Sequence, residues 1–308
     1  MRINKKYFLL GSLFGLGLLI GLIFYLPDGK LHLVFCDVGQ GDGIYIKTPN
    51  RADIVIDGGA NDRILSCLGQ YMPFYDREID VVVLTHPQKD HIHGLVAVLQ
   101  RFRVKHFVTV PVTHTIEEYE QVKRLLSQKQ VSIHYLTHNE IFAADQVHFT
   151  ALWPSIQWLN TELADEGITT VLRNDVVNSS LVGGTTTLDL NQFSLYLYVT
   201  YGRFSALFTG DGDASMQEQI FQSGTQLPSN ISLLKIPHHG SRTGLLPQTL
   251  KLLQPIFSVI QVGKNNYGHP NQDVIYELSA YGDVFRTDKQ GNIEFIVDLQ
   301  GVQVVTQK

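Results

Sequence analysis

The first apolar stretch of the chain is unlike every later one. Tyr7 to Leu26, YFLLGSLFGLGLLIGLIFYL, runs twenty residues without a charge, a length that as a helix spans a hydrocarbon core of about 30 Å. The pattern predicts a transmembrane helix over 7–26 behind a tail at 1–6. A cleaved signal peptide is the competing reading. Its apolar region, however, is usually about 7–15 residues long and ends in small residues, whereas Pro27-Asp28-Gly29 follows Leu26 directly. Arg2, Lys5 and Lys6 precede the stretch and the next base is Lys30. The positive-inside rule therefore puts the tail in the cytoplasm and the body outside, as a single-pass membrane protein. Gly11/Gly15 and Gly17/Gly21 form two G-x-x-x-G pairs, the spacing at which membrane helices pack closely, so a homodimer through this segment is one expectation.

After Pro27 the pattern changes to short apolar or β-branched runs alternating with amphipathic stretches of helical length, which predicts a layered α/β domain over 30–308. Strands are expected at 31–36, 44–47, 53–56, 81–84, 107–110, 131–135, 147–152, 194–200, 206–208, 233–236, 257–262 and 293–297. Helices are expected at 63–71, 94–102, 116–128, 215–222, 247–253 and 272–281, where apolar residues recur at three- and four-residue spacing. The stretch 155–190 has weak periodicity, Gly183-Gly184 and a Thr185–Thr187 run. It reads as a surface insertion, either a lid over a site or a plain loop.

Composition adds two constraints. The net charge of −5 includes the basic tail, so the remainder carries 21 bases against 29 acids, or −8. Such a body has no overall attraction for nucleic acid or anionic lipid, and a phosphate substrate must be held by local groups or a bound cation. Cys36 and Cys67 are too few for a disulfide scaffold or a cysteine-only zinc site; one bridge between them stays open.

The chemistry collects where apolar runs stop. Val81–Leu84 leads into Thr85-His86-Pro87-Gln88-Lys89-Asp90-His91-Ile92-His93-Gly94, and Leu207-Phe208-Thr209-Gly210-Asp211 again ends an apolar run in Gly-Asp. Leu233–Ile236 ends in Pro237-His238-His239-Gly240-Ser241, and Phe257–Val262 leads through Gly263–Gly268 to His269-Pro270. Neutral imidazole and carboxylate are ligands that zinc and manganese prefer, and strand ends hold such groups rigidly.

These residues resemble the metallo-β-lactamase fold, and more closely the external domain of ComEC-type DNA-uptake proteins. The resemblance covers most of 31–305 through FCDVGQGD (35–42), VIDGG (55–59), THPQKDHIHG (85–94), LFTGD (207–211), LKIPHHGS (234–241), VGKNNYGHP (262–270) and FRTDKQGNI (285–293). It implies a four-layer αβ/βα sandwich with one or two divalent ions, zinc or manganese, between two sheet edges, and hydrolysis of a phosphodiester or related ester. By the same resemblance Asp90, His91 and Asp211 hold one ion, with Asp211 bridging to a second held by His86. Of the adjacent histidines, His238 is favoured for the first ion, and His269 for the second. Asp37, Asp42 and Asp57 are expected to orient the ligating histidines. Gln88 stands where the family carries His or Asp, and its neutral amide is a poor ligand, which weakens the first site. Asp211 and Asp90 would position a metal-activated hydroxide, with His239, Ser241 or Lys264 stabilising charge or protonating the leaving group.

The resulting expectation is a membrane-anchored hydrolase with its catalytic domain outside, acting on DNA or another phosphodiester. Transport of DNA would need a membrane channel partner, because only one span is present. Two other readings compete. One is hydrolysis of a different ester, an envelope phosphodiester or a lactone; the other is a non-catalytic binding or scaffold protein with a degenerate metal site.

Overall fold

The computed structural model describes residue 15, residues 27–163, 181, 183–184 and 186–308. The transmembrane helix expected over 7–26 and the tail at 1–6 lie, Gly15 aside, outside the described residues. Among the described residues no helix is long and apolar enough to cross a membrane.

The elements run β1 (Leu31–Phe35), β2 (Ile44–Lys47), β3 (Asp53–Ile56), α1 (Arg63–Tyr71), β4 (Glu78–Val83), α2 (Lys89–Arg101), β5 (Arg103–Thr109), α3 (Glu117–Lys129), β6 (Ser132–Tyr135), β7 (Ile141–Ala144), β8 (Val147–Trp153) and α4 (Ile156–Glu162). They continue with β9 (Tyr196–Tyr201), β10 (Phe204–Phe208), α5 (Ala214–Gln222), β11 (Leu233–Lys235), α6 (Pro247–Leu253), β12 (Phe257–Ile260), α7 (Gln272–Ser279), β13 (Asp283–Arg286), α8 (Thr287–Gln290), β14 (Ile293–Val297) and β15 (Val302–Thr306). Two sheets result, in the orders β15-β14-β1-β2-β3-β4-β5-β6 and β13-β12-β11-β10-β9-β8-β7.

Strand alternation explains the layering. Leu31, Leu33 and Phe35 of β1, with Ile54 and Ile56 of β3, face the other sheet and meet Phe149, Leu197 and Phe208 in one core. Val34, Cys36 and Val55 point the opposite way, into a second core with Leu68 of α1, Leu95 of α2 and Val122 of α3. A third core packs Leu207, Leu234 and Ile260 against α5, α6 and α7. Strands with both faces buried read as continuous apolar runs, and helix, sheet, sheet, helix is the order of layers. The expected four-layer αβ/βα sandwich is what the chain forms.

Two differences from the sequence reading have physical causes. Three strands were not expected: β7, β13 and β15. All are sheet edges, half-exposed along their length, so they lack the apolar density that marks a central strand. The second helix begins at Lys89 instead of Gly94, because Gln88 takes an extended N-cap conformation and Asp90–His93 form the first turns. Within the stretch read as an insertion, 155–190, residues 156–162 are helical and Gly184 bridges to Val112; residues 164–180, 182 and 185 lie outside the described residues.

Cys36 and Cys67 are joined in a disulfide that ties the end of β1 to α1 inside the second core. Nearby, the buried Tyr45 hydroxyl donates to Asp53 Oδ1. Burial pushes the Asp53 carboxyl up to about 6, with the Tyr45 bond pulling the other way and the charges of Asp76 and Asp80 adding to the rise. The folded chain then binds this proton more tightly than the unfolded chain does. The associated stability is complete below the ordinary value of 3.8 and is lost as pH rises through about 6. Chemical denaturation in the parent is expected to show a fall of roughly 2 kcal/mol across that window, and Asp53→Asn to flatten it. An equal slope in both proteins would assign the fall to other groups.

Candidate metal centre

The site lies where the parallel strands of both sheets end. β1 leads into the loop to Asp42, β3 into Asp57, β4 into His86, β10 into Asp211 and β11 into the turn Pro237–Gly240. Close backbone approach makes this convergence feasible. Gly41, at φ +124°, passes so near Asp90 that a Cβ would lie 2.2 Å from the Asp90 carbonyl oxygen, and the Asp42 N–H donates to that oxygen at 3.2 Å. Gly94 of α2 sits likewise against the Gly58 carbonyl, where a Cβ would come within 2.0 Å. Larger residues at either position would push the aspartate-bearing helix off the loop.

Asp90, His91, Asp211 and His239 each offer a ligand atom, and these atoms lie within 4.8 Å of one another. Asp211 Oδ2 is 3.3 Å from His91 Nε2 and 3.2 Å from His239 Nε2. Asp90 Oδ2 is 3.2 Å from the same nitrogen of His239. Both imidazoles are oriented from behind. His91 Nδ1 donates to Asp57 Oδ2 at 2.8 Å, and His239 Nδ1 donates to the Gln261 carbonyl at 2.9 Å. Each ring is thereby set with Nε2 aimed at the carboxylates, the arrangement in which a ligating histidine is held. Asp57 is itself fixed by the Thr85 N–H and hydroxyl, at 2.8 and 2.7 Å.

The electrostatics describe a cluster that wants a cation. Burial alone would raise the Asp211 carboxyl, but His239, His91 and Lys235 around it hold it well below the ordinary range. Burial would lower His239, yet Asp211, Asp90 and Asp42 raise it to about 10, and His91 is raised for the same kind of reason by Asp211 and Asp57. Asp90 is lowered against burial by its bond to His239. Without an ion, protons on two imidazoles take the place of its charge. The fit to a divalent ion is good: two carboxylates and two imidazoles converge, and the buried His91 Nε2 has no hydrogen-bond partner. Because an ion displaces those protons, its affinity rises with pH.

The other expected residues are placed differently. The sequence reading favoured His238 for the position that the structure gives to His239. Both residues adopt left-handed backbone, at φ +49° and +53°, and the turn carries His239 inward while His238 faces His269, ring centres 5.7 Å apart. His86 is fully buried beside His91, its ring 4.1 Å away, with Nε2 unpartnered. Burial and the neighbouring His91 charge lower it to about 3. Neither His86 nor His269 belongs to the four-donor group. Gln88 lies at the rim, where its Nε2 donates to Asp189 Oδ1 at 3.1 Å.

Asp37 does not orient a histidine. It is part-exposed, near Lys308 and Arg63, and its backbone N–H donates to Asn292. Lys264 is exposed and outside the cleft lining, because the turn after β12 directs His269 and Tyr267 to the cleft instead. Ser241 is buried, and its hydroxyl pairs with that of Thr243 at 3.3 Å.

Gln261, which holds His239, gave no signal in the sequence, and the buried base of the site was also missed. Lys235, 1% exposed, is paired with Asp42 and lies 3.5 Å from Asp211 Oδ1, and its ammonium also donates to the Gly210 carbonyl at 2.7 Å. A lysine inside the apolar run 233–236 was the available signal. Asp42 and Lys235 together form the buried floor on which Asp211 stands. Above it opens a cleft of about 580 Å³, lined by Gln40, Lys89, Asp189, Asn191 and Tyr267 besides the histidines and acids. Asp189 brings the C-terminal end of the 155–190 stretch to the cleft, and Asn191 just beyond it also lines it.

Comparison with known proteins bears on the fold that carries this site. The beta-lactamase superfamily domain matches residues 53–161. The chain is 26% identical over 89% of its length to ComE operon protein 3 of Bacillus subtilis, covering 34% of that protein. It is 25% identical over 80% of its length to Recombination protein 2 of Haemophilus influenzae, covering 26% of it. The chain thus spans only about a third and a quarter of the length of these relatives. Among solved structures, the metallo-beta-lactamase fold protein YhfI of Bacillus subtilis superposes with a TM-score of 0.51 at 13% identity, over 86% of this chain and 99% of that one.

Proposed function

We propose that this chain, which carries a metallo-β-lactamase-fold domain similar to ComEC-type competence proteins, is a metal-dependent phosphodiesterase. The observation that carries the reading is the four-donor group of Asp90, His91, Asp211 and His239. A divalent ion bound there supplies water activation and offsets charge on the phosphoryl oxygens. The chain's own residues do the rest. Asp211 and Asp90 accept hydrogen bonds from the attacking water and so orient it, and Asp57 and the Gln261 carbonyl keep both imidazoles in one tautomer. His238 and His269 face the cleft beside the group and are placed to donate to the leaving oxygen.

The cleft lining argues for a polar substrate and against a lactone. Its walls are amides, acids, Lys89 and histidines, with Tyr267, 76% exposed, as a flat face at the rim. Such a face suits stacking of a base.

The reading also places the domain outside the cell membrane, anchored through residues 7–26. The uncharged twenty-residue stretch supports the anchor. The Cys36–Cys67 disulfide supports the compartment, since such bonds persist on the oxidising side of a membrane.

The test is hydrolysis by the purified full chain of single-stranded DNA, double-stranded DNA and bis(p-nitrophenyl) phosphate, with manganese or zinc added and with chelator. Cleavage of at least one phosphodiester that chelator abolishes and metal restores is the expected result. A metal-loaded chain that cleaves none of them would make it a binding protein.

A further inference from the structure

The end of the molecule opposite the metal centre carries its own pattern. β1, β3, β4, β5 and β6 run the same way, so their N-terminal ends share one face, a strand length or roughly 20 Å from the site. Residues 27–30, which follow the uncharged stretch 7–26, enter β1 on that face. The loop before β4 puts Phe74 there, 85% exposed, and the β14–β15 turn puts Leu299 there, 95% exposed. The β9–β10 turn joins them, since the Tyr201 hydroxyl donates to the Gly29 carbonyl at 3.5 Å.

One part of that face is basic in a chain whose body is acidic, while Asp28 and Asp298 at the start of β1 and the β14–β15 turn are taken up by His32 and Lys30. Arg77, Arg101, Arg103, Lys105 and Lys129 line a hollow of about 740 Å³ with no acidic side chain in its lining. Arg103 and Lys105 are paired with Glu78 and Asp80. Arg77, stacked over Phe102 at 5.9 Å, forms no ion pair among the described residues. Neither do Arg101, Lys129 or Arg203 of the β9–β10 turn. A phosphate polyanion would satisfy these cations, but it leaves Phe74 and Leu299 in water. A membrane surface satisfies both, taking the apolar tips at the acyl boundary and the cations among anionic headgroups.

We infer that this face docks on the anionic lipid surface through Phe74, Leu299, Arg77, Arg101, Lys129 and Arg203, holding the metal cleft directed away from the bilayer. The inference rests on the anchor in the reading above. Its consequence is orientational: the domain does not tumble freely on its tether, and substrate reaches the cleft from the side facing away from the membrane.

Nitroxide labels at Phe74→Cys, Leu299→Cys and, as the opposite-end control, Tyr267→Cys test it on the full chain, whose two native cysteines are occupied in the disulfide. In phosphatidylcholine vesicles containing about one-third phosphatidylglycerol, collision with oxygen over aqueous nickel should shift to interfacial values at 74 and 299 and stay aqueous at 267. Arg77→Gln, Arg101→Gln and Arg203→Gln together should weaken the docked state by about fivefold per charge removed. A chain that does not float with the vesicles defeats the anchor and the docking together. One that floats while all three labels stay aqueous defeats the docking alone. Labels that respond to a single-stranded oligonucleotide and not to phosphatidylglycerol would make this face a nucleic-acid site and overturn the inference.

Discussion

Asp211→Ala is expected to abolish phosphodiester turnover, by roughly 10⁴-fold or more, the scale on which removing one member of a concerted catalytic unit acts. The chain should stay folded. Asp211 is the carboxylate that both inward histidines share, so its loss removes a ligand and the charge that keeps those imidazoles protonated. Freed of that charge, His91 and His239 shed their protons instead of remaining as buried uncompensated cations. Circular dichroism and the thermal midpoint should therefore move little while activity and bound ion both disappear. Residual turnover within tenfold of the parent would place the chemistry elsewhere.

Lys235→Met is expected to act in the opposite sense, chiefly on stability. The ammonium cannot be exchanged for a neutral neighbour, because it is the buried partner of Asp42 and also faces Asp211. Burial by itself raises the Asp42 carboxyl, and Lys235 is the first charge that opposes the rise. Methionine removes the nearest cation from that buried carboxylate and leaves it only His91 and His239, at 3.8 and 3.6 Å, at a cost of roughly 3–5 kcal/mol. For a domain of this size the midpoint should fall by about 10 °C or more. Adding Asp42→Asn removes the orphaned charge, so the double variant should recover much of the loss. A single Lys235→Met variant as stable as the parent would show that the ammonium is not what holds this floor together.

The elements that build the two cores were legible because burial on both faces leaves continuous apolar runs, as in 53–56, 81–84 and 206–208. The edge strands β7, β13 and β15 were not, since one exposed flank removes that contrast. The site was legible as a set of chain positions where apolar runs stop, and His91, Asp90 and Asp211, which the family resemblance groups, lie together. Adjacent histidines could not be ranked. His238 and His239 have the same chemistry, and only the left-handed turn at φ +49° and +53° decides which one points inward. Lys235 was passed over because a base within an apolar run reads as an exposed interruption until its acid partner, nearly two hundred residues earlier in the chain, is seen beside it. Asp37 illustrates the converse. It shares a motif with Asp42 but ends at the surface near Lys308 and Arg63, since one turn separates an inward aspartate from an outward one.

The central claim is that Asp90, His91, Asp211 and His239 form one divalent-ion site. The most direct test is a manganese titration of the metal-free full chain by calorimetry, run in parallel on His239→Ala and His238→Ala. The account predicts that His239→Ala loses the tight site and that His238→Ala keeps it with stoichiometry unchanged. Tight binding that survives His239→Ala and vanishes in His238→Ala would contradict it, and would return the inward position to the other histidine.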